Sequence, residues 1–128
     1  MSHPTDLRYT NDHEWLRAEG GKATVGITHF AVEQLGDITL IELPAVGAAV
    51  TKGTRFGTVE SVKSVSDLYA PISGTVVAVN GALKDRPELV NEGPYADGWM
   101  ITIEPTNAGE VEELLTAAAY GELLASQA

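Results

Sequence analysis

No cysteine occurs in the chain, which excludes disulfides, thiolate metal sites and thiol nucleophiles. Basic residues are scarce: 8 Lys and Arg face 18 Asp and Glu, a formal net charge of −10 with His counted neutral. That sign repels phosphate backbones and anionic lipid headgroups, so neither nucleic acid nor a membrane is expected as a partner. No apolar run approaches the length of a membrane span, and the opening residues lack the apolar core of a secretory leader. His3, His13 and His29 are scattered without metal-ligand spacing. No nucleophile accompanies His13 and its neighbour Glu14 in a catalytic constellation. At 128 residues and 44% hydrophobic content, the chain reads as one globular domain over 1–128, expected in a bacterial cytoplasm.

Gly and Pro punctuate most of the chain, and the apolar stretches between them are short and rich in β-branched residues. Strands are predicted at 24–27, 37–43, 54–62, 66–72, 74–80 and 99–104. In the fifth, Thr75, Val77 and Val79 alternate with Val76, Ala78 and Asn80, and in the sixth Trp99, Ile101 and Ile103 share a face. Six or more short strands argue for a barrel or a sandwich. Thr28 is placed to cap a two-turn helix that Gly36 stops, and Pro87 to open a short turn through Leu89 and Val90. A helical segment is predicted over about 107–125, where Asn107 and Glu110 have capping spacing. Val111, Leu114, Leu115 and Ala118 follow helical periodicity, as do Tyr120, Leu123 and Leu124 after Thr116, and the resulting stripe packs on the outside of the sheet.

The stretch 56–74 carries the chemistry. Its halves mirror each other about the Lys63-Ser64 bond, with Val62 facing Val65, Ser61 facing Ser66, Glu60 facing Asp67 and Val59 facing Leu68. That is the register of a hairpin with a two-residue turn and Lys63 at its tip. Two features are unfavourable for a plain hairpin. Neither Lys nor Ser suits the positive φ of the tightest turns, and Glu60 opposite Asp67 places like charges across a strand pair. Lys63 is the only basic residue between Phe56 and Leu83. On spacing alone two readings stand: a solvated lysine that guards a strand edge, or an attachment point for a prosthetic group on a rigid hairpin.

Glu60-Ser61-Val62-Lys63-Ser64-Val65-Ser66-Asp67, followed by Tyr69-Ala70-Pro71-Ile72-Ser73-Gly74, resembles the lipoylation segment of glycine cleavage system H proteins. The similarity extends in order through Tyr9 to Trp15, Val25-Gly26-Ile27-Thr28, Gln34 to Ile38, Glu42-Leu43-Pro44, Pro87 to Asn91, Pro94-Tyr95 and Gly98 to Ile101. Lipoyl domains of 2-oxo acid dehydrogenases typically flank their lysine with Asp and Ala, and biotin carriers with Met; Val62 and Ser64 fit the H-protein pattern instead.

The resemblance implies a mainly β, lipoyl-domain-like barrel-sandwich hybrid with short peripheral helices and a C-terminal helix. It implies lipoate in amide linkage on Lys63 and a non-catalytic carrier of the aminomethyl group of glycine. The implied partners are glycine decarboxylase (P protein), aminomethyltransferase (T protein), dihydrolipoyl dehydrogenase (L protein) and a lipoate-attaching enzyme. Glu14, helped by Asp12 and Asp67, is implied to hold the loaded arm in a cleft. Glu60 and Gly74 match positions associated with recognition by the lipoylating enzyme, although Gly74 also suits a turn needing positive φ. Asp12 stands where some members have Ser; His29-Phe30 and Ala45, Ala48 and Ala49 are mild departures that bear on partner surfaces. A lipoate-relay protein, donating its group to other lipoyl domains, would need the same Lys63.

Overall fold

A computed structural model describes residues 4–107 and 109–127; His3 and Ala108 lie outside the described residues. Among the described residues nine strands form two antiparallel sheets: β1 (Arg8–Tyr9), β2 (Glu14–Glu19), β3 (Lys22–Ile27), β4 (Ile38–Glu42), β5 (Ala49–Val50), β6 (Arg55–Ser61), β7 (Val65–Tyr69), β8 (Gly74–Val79) and β9 (Ile101–Pro105). The larger sheet has the order β1-β2-β3-β9-β8-β5 and the smaller β4-β6-β7. Short helices lie around them: α1 (His29–Leu35), α2 (Ala82–Asp85), α3 (Leu89–Glu92), α4 (Gly109–Glu112) and α5 (Ala117–Gln127). The architecture is the expected mainly β barrel-sandwich hybrid. No helix among the described residues is long and apolar enough to cross a membrane.

Burial follows from the two-sheet arrangement. Val25, Val76, Ile101 and Ile103 of the larger sheet join Ile41, Val59 and Leu68 of the smaller in one core, closed by Val32, Leu35, Leu83 and Val90 from α1, α2 and α3. A second cluster, built on Leu7, Tyr9, Trp15 and Tyr120, lies under α5. The Tyr9 and Tyr120 rings stack 4.6 Å apart and within 6° of parallel, while the Trp15 indole N–H donates to the Pro94 carbonyl at 2.9 Å. Gly26 pairs with Trp15 across β2 and β3. A Cβ at Gly26 would stand 2.7 Å from the indole ring, so only glycine lets the ring lie across the neighbouring strand.

Several sequence expectations are corrected. Strand β8 carries an irregularity between Val76 and Ala78, so the predicted alternation breaks: Val76 is buried, and Val79 packs on the same core. Trp99 does not line β9 with Ile101 and Ile103. It precedes the strand, half-buried, and packs on the second cluster, while Met100 fills the core. The C-terminal segment is two helices rather than one, because Leu115 is drawn into a bridge with Tyr9 through backbone bonds of 2.9 and 2.8 Å. Helix α5 then restarts after Thr116, whose hydroxyl accepts from the Ala119 N–H at 3.2 Å. Asn107 caps α4 as expected, its Oδ1 accepting from the Gly109 N–H at 3.0 Å, but Glu110 does not complete the box; its carboxylate accepts from the Ser73 N–H at 2.8 Å. The Thr28 cap and the Gly36 stop are present as expected, with Gly36 at φ 77° and ψ −148°.

Candidate functional site

The β6–β7 hairpin carries Lys63 at its tip, but its register is displaced by two residues from the expected mirror. Glu60 opposes Val65, Val59 opposes Ser66 and Thr58 opposes Asp67, so the like-charge Glu60–Asp67 pair does not form. The turn is centred on Val62 and Lys63, and the Ser61 N–H donates to the Ser64 carbonyl at 2.8 Å. A shift of two keeps every side chain on its expected face. The turn also avoids the conformational problem posed by its residues. His13 is the only non-glycine residue at positive φ among the described residues, so Val62 and Lys63 are spared that strain. Instead the Ser61 hydroxyl accepts from the Lys63 and Ser64 N–H groups, each at 3.2 Å. Val62 and Val65 flank the lysine with 68% and 63% of their surface exposed.

Lys63 is exposed, and among the described residues no carboxylate lies within ion-pair distance of it. Its stem passes over Gly36 at the end of α1, where an ideal Cβ would meet Lys63 Cε at 3.4 Å. The preceding turn of α1 supplies Ala31, Gln34 and Leu35 to the wall of a cavity of about 560 Å³. The lysine thus stands at the end of the helix that walls this cavity.

Asp12, Glu14 and Asp67 all line that cavity, together with apolar side chains including Phe30, Leu35 and Leu68. Glu14 is only 2% exposed. Its two carboxyl oxygens are separately held: Oε1 accepts from the Thr10 hydroxyl at 2.6 Å and Oε2 from the Tyr69 N–H at 3.2 Å. Burial pushes its pKa up to about 8; the two hydrogen bonds oppose the rise and the Asp12 charge adds to it. Asp67 is exposed, 3.7 Å from the Arg55 guanidinium and 3.4 Å from the Tyr69 hydroxyl that donates to it.

Three further residues shape the site without having been predicted there. Thr10 closes the turn before β2, its hydroxyl accepting from the Asp12 and Glu14 N–H groups at 3.2 and 3.1 Å. His13, at φ 68°, lines the cavity and lies 4.7 Å from the Phe30 ring. Its Nδ1 is 2.8 Å from the Tyr120 hydroxyl, which also bonds Thr28 at 2.7 Å. Burial holds the His13 imidazole below its ordinary pKa against the opposing charge of Asp12. Thr10 lying four residues before a buried acid was the available signal; the contact to Tyr120 spans most of the chain and left none.

Glu60 and Gly74 lie apart from the cavity wall. Glu60 sits on the hairpin between Leu40 and Val65 of the flanking strands. Gly74 begins β8 in the other sheet and is not at positive φ. Glycine is required there by close approach, since a Cβ would run into the Glu104 carbonyl and stand 2.6 Å from Ile103.

Comparison with known proteins places these features in a wider set. Residues 7–127 match the family model described as glycine cleavage H-protein. The chain is 58% identical over 123 residues to the glycine cleavage system H protein of Bacillus subtilis (strain 168), covering 96% of this chain and 97% of that one. It is 57% identical over 123 residues to the Bacillus cytotoxicus protein of the same name, with the same coverage. A crystal structure of a glycine cleavage system H protein from Mycobacterium marinum superposes with a TM-score of 0.89 at 46% identity, covering 96% of this chain and 99% of that one.

Proposed function

Because the chain belongs to the glycine cleavage H-protein family, lipoyl carriers of the glycine cleavage system, we propose that Lys63 is its attachment point. The observation that carries this reading is an exposed lysine, without an ion-pair partner among the described residues, at the tip of a hairpin whose turn is held by its own side-chain and backbone hydrogen bonds. Acylation of Nζ would remove a charge that no described carboxylate compensates, so the modification would strand no buried ion. The cavity beyond α1 suits such a group, with apolar walls for a hydrocarbon chain and a buried carboxyl for an amine. Bound lipoate supplies a dithiolane that can be opened, loaded with a one-carbon amine and reoxidised.

The chain's own residues present and shelter this arm and perform no turnover. Glu14 is the principal acceptor for a cationic cargo amine, and Asp12 and Asp67 add negative potential at the same wall. With its pKa pushed up to about 8, Glu14 is mostly protonated in the empty cavity at neutral pH. Seating an ammonium there favours the carboxylate, so cargo binding releases a proton. The apolar lining excludes the water that would otherwise release the carbon as formaldehyde. Glu60 and Gly74 act at the encounter with the lipoate-attaching enzyme. The partners are the P, T and L proteins, and the acidic surface would speed encounters with basic docking faces on them. The whole of 1–128 acts as one carrier domain.

The decisive test is intact mass before and after incubation with a lipoate-attaching enzyme, lipoate and ATP, beside a Lys63→Arg control. One added lipoyl group, missing in the control, is expected. No gain while a competent lipoyl domain is modified in the same tube would withdraw the reading. Subsequent loading by glycine decarboxylase separates a glycine-cleavage carrier from a lipoate relay.

A further inference from the structure

Asn91 lies on α3, outside the cavity wall, half-buried beside the fully buried Val90. Its side-chain amide spans the exit from α1: Nδ2 donates to the Gly36 carbonyl at 2.8 Å, and Oδ1 accepts from the Ile38 N–H at 3.0 Å. One planar group therefore holds both ends of a three-residue segment, in the manner of a neighbouring strand. The middle residue, Asp37, offers its carbonyl to the Val62 N–H at 3.1 Å. Val62 is the first of the two turn residues, and the second is Lys63. The Lys63 stem rests on Gly36, the other residue that the amide grips.

Gly36 explains why such a clamp is needed. At φ 77° and ψ −148° it occupies a region reserved in practice for glycine, the residue with the greatest backbone freedom to lose. Left to itself this junction would sample many conformations, and the Asp37 carbonyl would move with it. Asn is the side chain that fits. Asp lacks the donor for Gly36, Ser cannot reach both groups, and Gln carries an extra methylene.

We propose that Asn91 is a positioning residue for the modification of Lys63, holding the hairpin tip in place through the backbone of residues 36–38. This rests on the reading of Lys63 as the attachment point. The residue acts through the backbone it bonds and limits the orientations in which the tip meets a modifying enzyme.

The test compares wild type, Asn91→Ala and Asn91→Asp in two measurements. The first is amide hydrogen exchange at Val62, relative to amides of β3 and β9. The second is kcat/KM for enzymatic lipoylation, separated into kcat and KM. Leu7→Ala, which loses packing in the second cluster rather than in the core that holds the junction, controls for general destabilisation. Both Asn91 variants are expected to speed Val62 exchange about five-fold or more over any change in the β3 and β9 amides, the order expected for loss of one hydrogen bond. Lipoylation should lose a similar factor, mainly in KM, while Leu7→Ala changes neither ratio. Uniform acceleration of all amides, or selective Val62 exchange with unaltered lipoylation kinetics, would overturn the proposal. If wild type and variants all fail to be lipoylated, the attachment reading falls and takes this one with it. That outcome is distinct, because the failure then appears in the wild type.

Discussion

Glu14 offers a test of the cavity that needs no partner enzyme. A carboxyl raised from 4.5 to about 8 in the folded chain keeps its proton over a pH range in which the unfolded chain has already lost it. Between those values the folded state binds more protons, so the contribution of this group is fully present below pH 4.5 and is lost as pH rises through 8. At about 1.4 kcal/mol per pH unit, the window corresponds to at most about 5 kcal/mol, a large share of a typical domain's stability. Glu14→Gln keeps the shape and cannot ionise; its amide has one acceptor oxygen, so it loses one of the two bonds from Thr10 and Tyr69 at every pH. The urea midpoint of each protein, converted with its own m-value, should be measured from pH 4.5 to 9. Wild type should lose several kcal/mol relative to the variant across the window; the lost hydrogen bond of the variant is a constant offset that leaves this slope unchanged. His13 acts in the opposite direction, because its lowered pKa makes stability rise with pH up to its ordinary value, but it is common to both proteins and cancels. Parallel profiles would refute the buried, proton-retaining Glu14.

Gly26→Ala should cost about 1–3 kcal/mol, because its methyl would enter the Trp15 ring; an unchanged thermal midpoint would argue against the packed geometry. Trp15→Ala should cost about 3–5 kcal/mol and Trp99→Ala distinctly less, since only Trp15 is fully buried; chemical denaturation ranks the two. Thr28→Val removes the α1 cap and a bond to Tyr120, for a loss of about 1–2 kcal/mol, seen as earlier melting. Glu14→Ala in the lipoylated, loaded protein should shorten the lifetime of the aminomethyl cargo, followed by formaldehyde release.

The Lys63 hairpin was legible because mirrored residues around a lone lysine specify a tip. Its register was not legible, since the Ser61 hydroxyl takes over the turn and moves the centre by one residue. Strand β2 escaped notice for a different reason. Trp15 packs in the second cluster and Leu16 in the main core, so both faces are buried and no alternation appears. Strands β1 and β5 are two residues long, too short to carry a pattern. The helical period through Leu115 is real in the sequence, but a backbone bridge to Tyr9 overrides it. Asp12, Glu14 and Asp67 could be grouped only by resemblance, because the fold brings the start of β2 against β7, a contact no local spacing encodes.

The bridge between Tyr9 and Leu115 also bears on how the carrier avoids itself. A sheet that ends in an open strand invites another chain to add to it, a second copy of the same carrier included. Here the larger sheet ends on both sides in strands of two residues. On the β1 side the Leu115 backbone occupies donor and acceptor of Tyr9. The C-terminal segment thus works as a selvedge, finishing the woven margin so that it neither frays nor catches on a neighbouring molecule.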